Sequence, residues 1–222
     1  MVAGIAASYF LGLTPGHGFA QDDCAAYIMH TANLVEHRPY TAIHYAPNPE
    51  AAWVSPANGY PPVYPLLLAP VYWRWGLDLR ATKVMTVFTF AIFLATFAKW
   101  VQPLVSPKLR VIAVILVGWN PAFWNYRDLI ASEFPYLMIC FLTLVAIRHA
   151  YADLEIAKWR PGWACLVAIL LYVSYGTRTI GIALPIAMAL ADLSQFKRTS
   201  RFLILVLSLL AVSLFALHRS CI

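Results

Sequence analysis

Residues Gly59 to Gly76 read GYPPVYPLLLAPVYWRWG, and whether they cross a bilayer decides the fold. The stretch is apolar, with aromatic residues crowding both ends. It also holds Pro61, Pro62, Pro65 and Pro70, each of which removes a backbone donor. It can span the membrane or lie along its surface, and the rest of the chain must choose.

The chain of 222 residues is 61% apolar and 12% charged, with a mean hydropathy of +0.68. A soluble domain carries about 25% charged residues. The deficit runs along the whole length, which reads as a polytopic membrane protein. A soluble protein of this kind would need several buried helices with almost no polar face. The expected helices are Thr82 to Ala98, Val111 to Trp119 continuing to Trp124, Phe134 to Ile147, Trp163 to Tyr175, Ile180 to Leu193 and Phe202 to Leu217. With the N-terminal run, they make an all-α bundle of about seven apolar segments, the shorter ones extended by snorkelling flanks. Met1 to Leu13 is too short to cross ~30 Å of hydrocarbon and lacks a basic flank, so it reads as the end of a first membrane helix. The chain stops directly after its last apolar run, and both ends are expected to be cut.

Charge settles the topology. If the proline-rich stretch does not cross, three connectors share one face. They carry Lys99, Lys108 and Arg110, then Arg148, Lys158 and Arg160, then Lys197, Arg198 and Arg201. These are nine of the 16 basic residues, and the positive-inside rule puts them in the cytoplasm. Residues 14–81 then form a first external loop, with the proline-rich stretch interfacial or re-entrant. The net charge of +6 is dispersed, with no basic run suited to nucleic acid. Cys24, Cys140, Cys165 and Cys221 fit neither a zinc site nor a disulfide framework.

The first external loop opens with QDDCAAY, Gln21 to Tyr27. Asp22 to His37 has a helical pattern, with Ala25, Ile28, Met29, Ala32 and Val35 on one face. An amphipathic helix beside a span should lie in the interface plane. Pro39 to Pro56 reads as irregular loop. Two more polar clusters fall on the external face. One is NPAFWNYRDLIASEFP, Asn120 to Pro135, with Arg127, Asp128 and Glu133; the other is YGTRTIG, Tyr175 to Gly181, with Arg178 in a tight bend. On pattern alone, Asp22 and Glu133 also serve as helix caps, Asp23 as a solvated charge, Arg127 with Asp128 as an exposed pair, and Arg178 as a head-group anchor. His30, His37 and His44 lack metal-ligand spacing and read as polar surface.

The order of these pieces resembles the N-terminal half of the GT-C class of membrane glycosyltransferases, over about Met1 to Leu193. A short helix is followed by Asp22-Asp23 and Tyr27, then by YPPVYPLLLAP, NPAFWNYRDLIASEFP and YGTRTIGIAL. The likeness is to the polyprenyl-phosphate-sugar-dependent group, which includes protein mannosyltransferases and aminoarabinose transferases. It implies transfer of a sugar from a polyprenyl-phosphate donor, on the external face of the cytoplasmic membrane, with inversion. By the same resemblance Asp22 is the base, Asp23 and Glu133 are supporting acids, with Asp128 a weaker match, and Tyr27 belongs to the motif. Full-length members are about twice this length or more. Some relatives use a divalent metal and others do not.

The chemistry is coherent. A carboxylate takes the acceptor's proton as its hydroxyl attacks the anomeric carbon. A cation stabilises the departing lipid phosphate, and Arg178 and Arg127 are the available ones on that face. The competing expectation is a non-catalytic membrane protein: an inactive glycosyltransferase fragment, a transporter fragment or an assembly partner. A transporter places ionisable groups near mid-helix. Here the helix interiors look almost free of them, with Asp192 the nearest exception. Sugar, acceptor and oligomeric state are left open by the sequence.

Overall fold

A computed structural model describes residues 1–16, 22–40, 60–155 and 161–194, and every regular element among them is helical. The expected segment Phe202 to Leu217, most of the Pro39 to Pro56 loop and the connectors around Lys158 and Lys197 lie outside the described residues.

Two long helices form the centre. Helix α4, Leu79–Val101, and helix α7, Glu133–Glu155, have 23 residues each, about 34 Å of helix. Leu79–Val101 and the Glu133–Ala152 part of α7 are the two described helices long and apolar enough to cross a membrane. They run in parallel, as two contacts at different heights show. Phe90 packs on Phe134 at 4.4 Å between ring centroids, and the Arg148 guanidinium donates to the Trp100 carbonyl at 2.6 Å. Between those heights Phe93, Phe97 and Trp100 meet Phe141 edge-to-face at 5.2, 5.4 and 5.6 Å. Such offset ring pairs add about 0.5–1.5 kcal/mol each beyond area burial.

The remaining helices pack around this pair. Helix α1, Val2–Leu11, inserts Tyr9, which stacks on Phe90 at 4.6 Å and donates to the Gly118 carbonyl at 2.8 Å. Helix α8, Pro161–Thr177, docks on α7 where Ala146 and Ala150 are buried against Ala164, Val167 and Leu171. Small residues one turn apart let the two backbones approach closely. A tight 3₁₀ turn, Thr179–Ile182, leads from α8 into helix α9, Ala183–Ser194.

Three expectations are corrected. The helix after Ser106 does not continue to Trp124. Helix α5, Pro107–Gly118, ends at Trp119, and the Asn120 side chain accepts from Ala122 N to cap a separate α6, Pro121–Tyr126. Pro121 lacks an N–H, which suits the first position of a new helix and not the interior of an old one. The packed face of helix α2, Asp22–Val35, coincides only in part with the expected one: Ala32 is buried and Ile28 packs on the core. Ala25 is exposed, while Cys24, Tyr27, His30 and Thr31 are buried. His30 is therefore no surface residue: it stacks on Tyr40 at 4.2 Å, and its Nδ1 bonds the Tyr40 carbonyl at 2.8 Å.

The proline-rich stretch folds as helix α3, Val63–Trp75. Pro65 lies in the first turn, where a missing donor costs nothing, and Pro70 sits exposed in the interior. Thirteen residues give about 20 Å, short of the ~30 Å hydrocarbon core. Helices α2 and α3 pack together over the Glu133 end of the bundle, through Cys24, Tyr27, Tyr64, Leu68 and Ile130.

Candidate functional site

The polar residues expected to act together gather at the Glu133 end. Asp22 is the first residue of α2, and its side chain lies outside the described ones. Asp23 follows, exposed, and accepts a short hydrogen bond from the Tyr60 hydroxyl. One turn on, Tyr27 is wedged edge-on between Tyr60 and Tyr64, at 4.9 and 4.8 Å. Its hydroxyl pairs with Ser132 Oγ at 2.9 Å, which ties α2 to the start of α7. Burial pushes the Tyr27 phenol up, opposed by the Ser132 hydrogen bond and the Arg178 charge. Burial likewise raises the Cys24 thiol, making it a poor nucleophile at neutral pH.

Glu133 and Arg178 complete the cluster. Glu133 is in the first turn of α7, where a carboxylate is favoured by the helix dipole. Arg178 caps the 3₁₀ turn, with its N–H on the Ser174 carbonyl at 3.2 Å and its carbonyl receiving Gly181 N–H at 2.8 Å. A Cβ on Gly181 would stand 2.5 Å from the Ser174 carbonyl, so the bend needs glycine there. From this bend the guanidinium reaches Glu133 Oε1 in a short ion pair and Ser132 Oγ at 3.3 Å. Burial lowers the Arg178 pKa, but the Glu133 hydrogen bond and charge outweigh it and raise it above the ordinary value. The second carboxylate oxygen, Glu133 Oε2, is buried and has no hydrogen-bond partner among the described residues.

A second ion pair lies at the same end. Lys83, in α4, has a side chain only 1% exposed and reaches Asp128 Oδ1 at 2.9 Å. The same ammonium donates to the carbonyls of Thr14, at 3.0 Å, and Gly16. Thr14 donates its N–H to Asp128 Oδ1 at 3.0 Å and its hydroxyl to Oδ2. Burial pushes the Asp128 carboxyl up, but Lys83 and Thr14 together hold it below its ordinary value. Arg127 is also committed: it donates to the carbonyls of Gly12 and Trp124, at 3.1 and 2.7 Å, and lies 4.2 Å over the Trp124 ring.

So Asp23, Tyr27, Glu133 and Arg178 form one connected set, while Asp128 and Arg127 hold the loops after α1 and α6 together. Sequence reading missed Tyr60, Ser132 and Lys83. The signal for Lys83 was present: a lone ammonium inside an apolar helix must find a partner. Among the described residues, no group of three or more His, Cys, Asp or Glu side chains comes together that could hold a metal ion. No family model, no curated protein and no solved structure matches the chain.

Proposed function

We propose that this chain is a membrane glycosyltransferase of the GT-C type. It transfers a sugar from a polyprenyl-phosphate donor to an acceptor at the external face of the cytoplasmic membrane. One observation carries the reading: the Tyr27–Ser132 hydrogen bond joins the aspartate-bearing start of α2 to the Glu133–Arg178 pair at a single end of the bundle. Carboxylates and a cation in one partly exposed cluster are what sugar transfer from a lipid phosphate requires.

The membrane part of the reading is supported by what the helices leave uncovered. Val84 and Phe88 on α4, Val111, Ile112, Ile115 and Leu116 on α5, and Ile186 and Leu190 on α9 are exposed. Apolar surface of that extent fits lipid better than water. The basic connectors of the sequence begin at the Trp100 end, where Lys99 lies in the last turn of α4 and Arg148 packs. The Glu133 end then faces outward, with α2 and α3 at the interface.

In this reading Asp22 takes the proton of the acceptor hydroxyl as the oxygen attacks the anomeric carbon. The carbon–oxygen bond to phosphate breaks, its electron pair leaves with the lipid phosphate, and the anomeric centre inverts. Arg178 balances the added negative charge on the leaving group. Asp23, held by Tyr60, and Glu133 are supporting acids.

A second reading, a non-catalytic membrane protein such as a transporter fragment, an inactive remnant or an assembly partner, is favoured by Lys83. It is a buried ionisable group inside a helix long enough to span, the kind of residue that marks transport paths. It lies within the first five residues of α4, however, and all its partners are at the Glu133 end.

The test is sugar transfer from a radiolabelled polyprenyl-phosphate-sugar pool by membranes containing this chain, wild type beside Asp22→Asn. Loss of a general base should cost about 10²- to 10⁴-fold in rate. Equal transfer by both removes the base assignment. No transfer by a stably inserted wild type favours the non-catalytic reading.

A further inference from the structure

Glu133 and Asp128 are carboxylates beside a cation, but only Asp128 has both oxygens satisfied. Glu133 spends Oε1 on Arg178 and leaves Oε2 buried without a donor among the described residues. An unpaired buried oxygen of this kind is costly and calls for an explanation. Arg178 is in turn occupied: the guanidinium that should meet a phosphate is held by a carboxylate of the same protein. The Arg178 side chain is 36% exposed, so an anion can reach it from outside the bundle.

We propose that Glu133 is a stand-in ligand for the phosphate group of the donor, and that the two exchange at Arg178. This rests on the glycosyltransferase reading above and adds a regulation to it. A phosphate ester offers several oxygens to the planar guanidinium fork and competes directly with a single carboxylate oxygen. When it binds, the Glu133 carboxylate is released with both oxygens available for an acceptor hydroxyl. Ser132 Oγ, which bonds both Arg178 and the Tyr27 hydroxyl, keeps the guanidinium in place through the exchange. With no phosphate bound, Arg178 stays neutralised. The acid therefore becomes free only in a donor-loaded site.

Competition makes a prediction opposite in sign to that of simple support. Binding of polyprenyl phosphate to the full chain in detergent micelles would be measured for wild type, Glu133→Gln and Arg178→Gln. Polyprenol and inorganic phosphate serve as the lipid-only and phosphate-only arms. Glu133→Gln should bind polyprenyl phosphate about tenfold tighter, because the competing charge-assisted hydrogen bond is gone, and Arg178→Gln should lose that gain. Inorganic phosphate should follow the same order more weakly, and polyprenol should not discriminate. Weaker or unchanged binding by Glu133→Gln, with the wild type binding normally, overturns the exchange and leaves the functional reading standing. Failure of the wild type to bind polyprenyl phosphate overturns both. A second measurement needs no variant: carbodiimide labelling of Glu133, read by mass spectrometry, should rise at least about twofold when polyprenyl phosphate is added, as the ion pair opens. Unchanged or reduced labelling contradicts the exchange.

Discussion

Lys83–Asp128 and Arg178–Glu133 are two cation–carboxylate pairs at the same end of one bundle, built in opposite ways. The first is closed: Lys83 is 1% exposed, and Thr14, Gly16 and Asp128 surround its ammonium. The second is open: its side chains are 36% and 29% exposed, and one carboxylate oxygen has no partner among the described residues. A pair whose every valence is spent can only hold structure. A pair with an unused oxygen and a reachable cation can exchange partners. The same chemistry therefore fixes the loops in one place and leaves a reachable cation in the other.

That contrast can be broken from its strong side first. Lys83→Met leaves the Asp128 carboxylate, 17% exposed, with only its Thr14 hydrogen bonds, which should cost about 3 kcal/mol. A large fall in the midpoint of thermal unfolding in detergent is expected. The Arg178–Glu133 pair is partly exposed, at 36% and 29% of its side chains, so Glu133→Gln should lower that midpoint by much less. Next is Gly181→Ala, whose new Cβ meets the Ser174 backbone at 2.5 Å. Overpacking against backbone should cost about 1–3 kcal/mol and lower sugar transfer by moving Arg178. Gly118→Ala is the comparison, since its Cβ meets side chains and not backbone, Ile5 at 2.9 and 3.0 Å and Leu94 at 3.4 Å, and a smaller loss is expected. Tyr9→Phe leaves the Gly118 carbonyl without the phenol and should cost about 1 kcal/mol, with no change in transfer.

The finest effect concerns pH. The folded pKa of Asp128 is depressed below its ordinary value, so the stability it adds is fully present above about pH 4 and is lost as pH falls through the folded value. The unfolding midpoints of wild type and Asp128→Asn should differ at pH 7 and converge on acidification below about pH 4. A difference that persists at low pH would show that Asp128 acts through packing rather than charge.

Much of this arrangement is legible in the sequence, because hydropathy and local signals report on it. The long apolar runs of α4 and α7 outweigh everything around them, and Arg178 stands in a glycine-bounded bend that any reading finds. The break at Asn120-Pro121 was visible as a helix stop, but apolar residues on both sides masked it. What stayed hidden depends on distant partners. A lone ammonium in an apolar helix calls for partners, but that Thr14, Gly16 and Asp128 converge on Lys83 from two other loops is something no local pattern names. His30 is buried because Tyr40 folds back over it, and α2 turns its Cys24–Tyr27–Thr31 face inward because Tyr64, Leu68 and Ile130 wait there.

The central claim, that the open pair serves chemistry and the closed pair serves structure, is tested most directly by Arg178→Gln. Sugar transfer from a labelled polyprenyl-phosphate donor and the unfolding midpoint would be measured on the same membrane preparation. Transfer should fall about 10²- to 10³-fold, the scale of losing one group that stabilises a developing anion, while the midpoint falls by much less than in Lys83→Met. Undiminished transfer, or a loss that merely follows a collapse of the midpoint, would contradict the account.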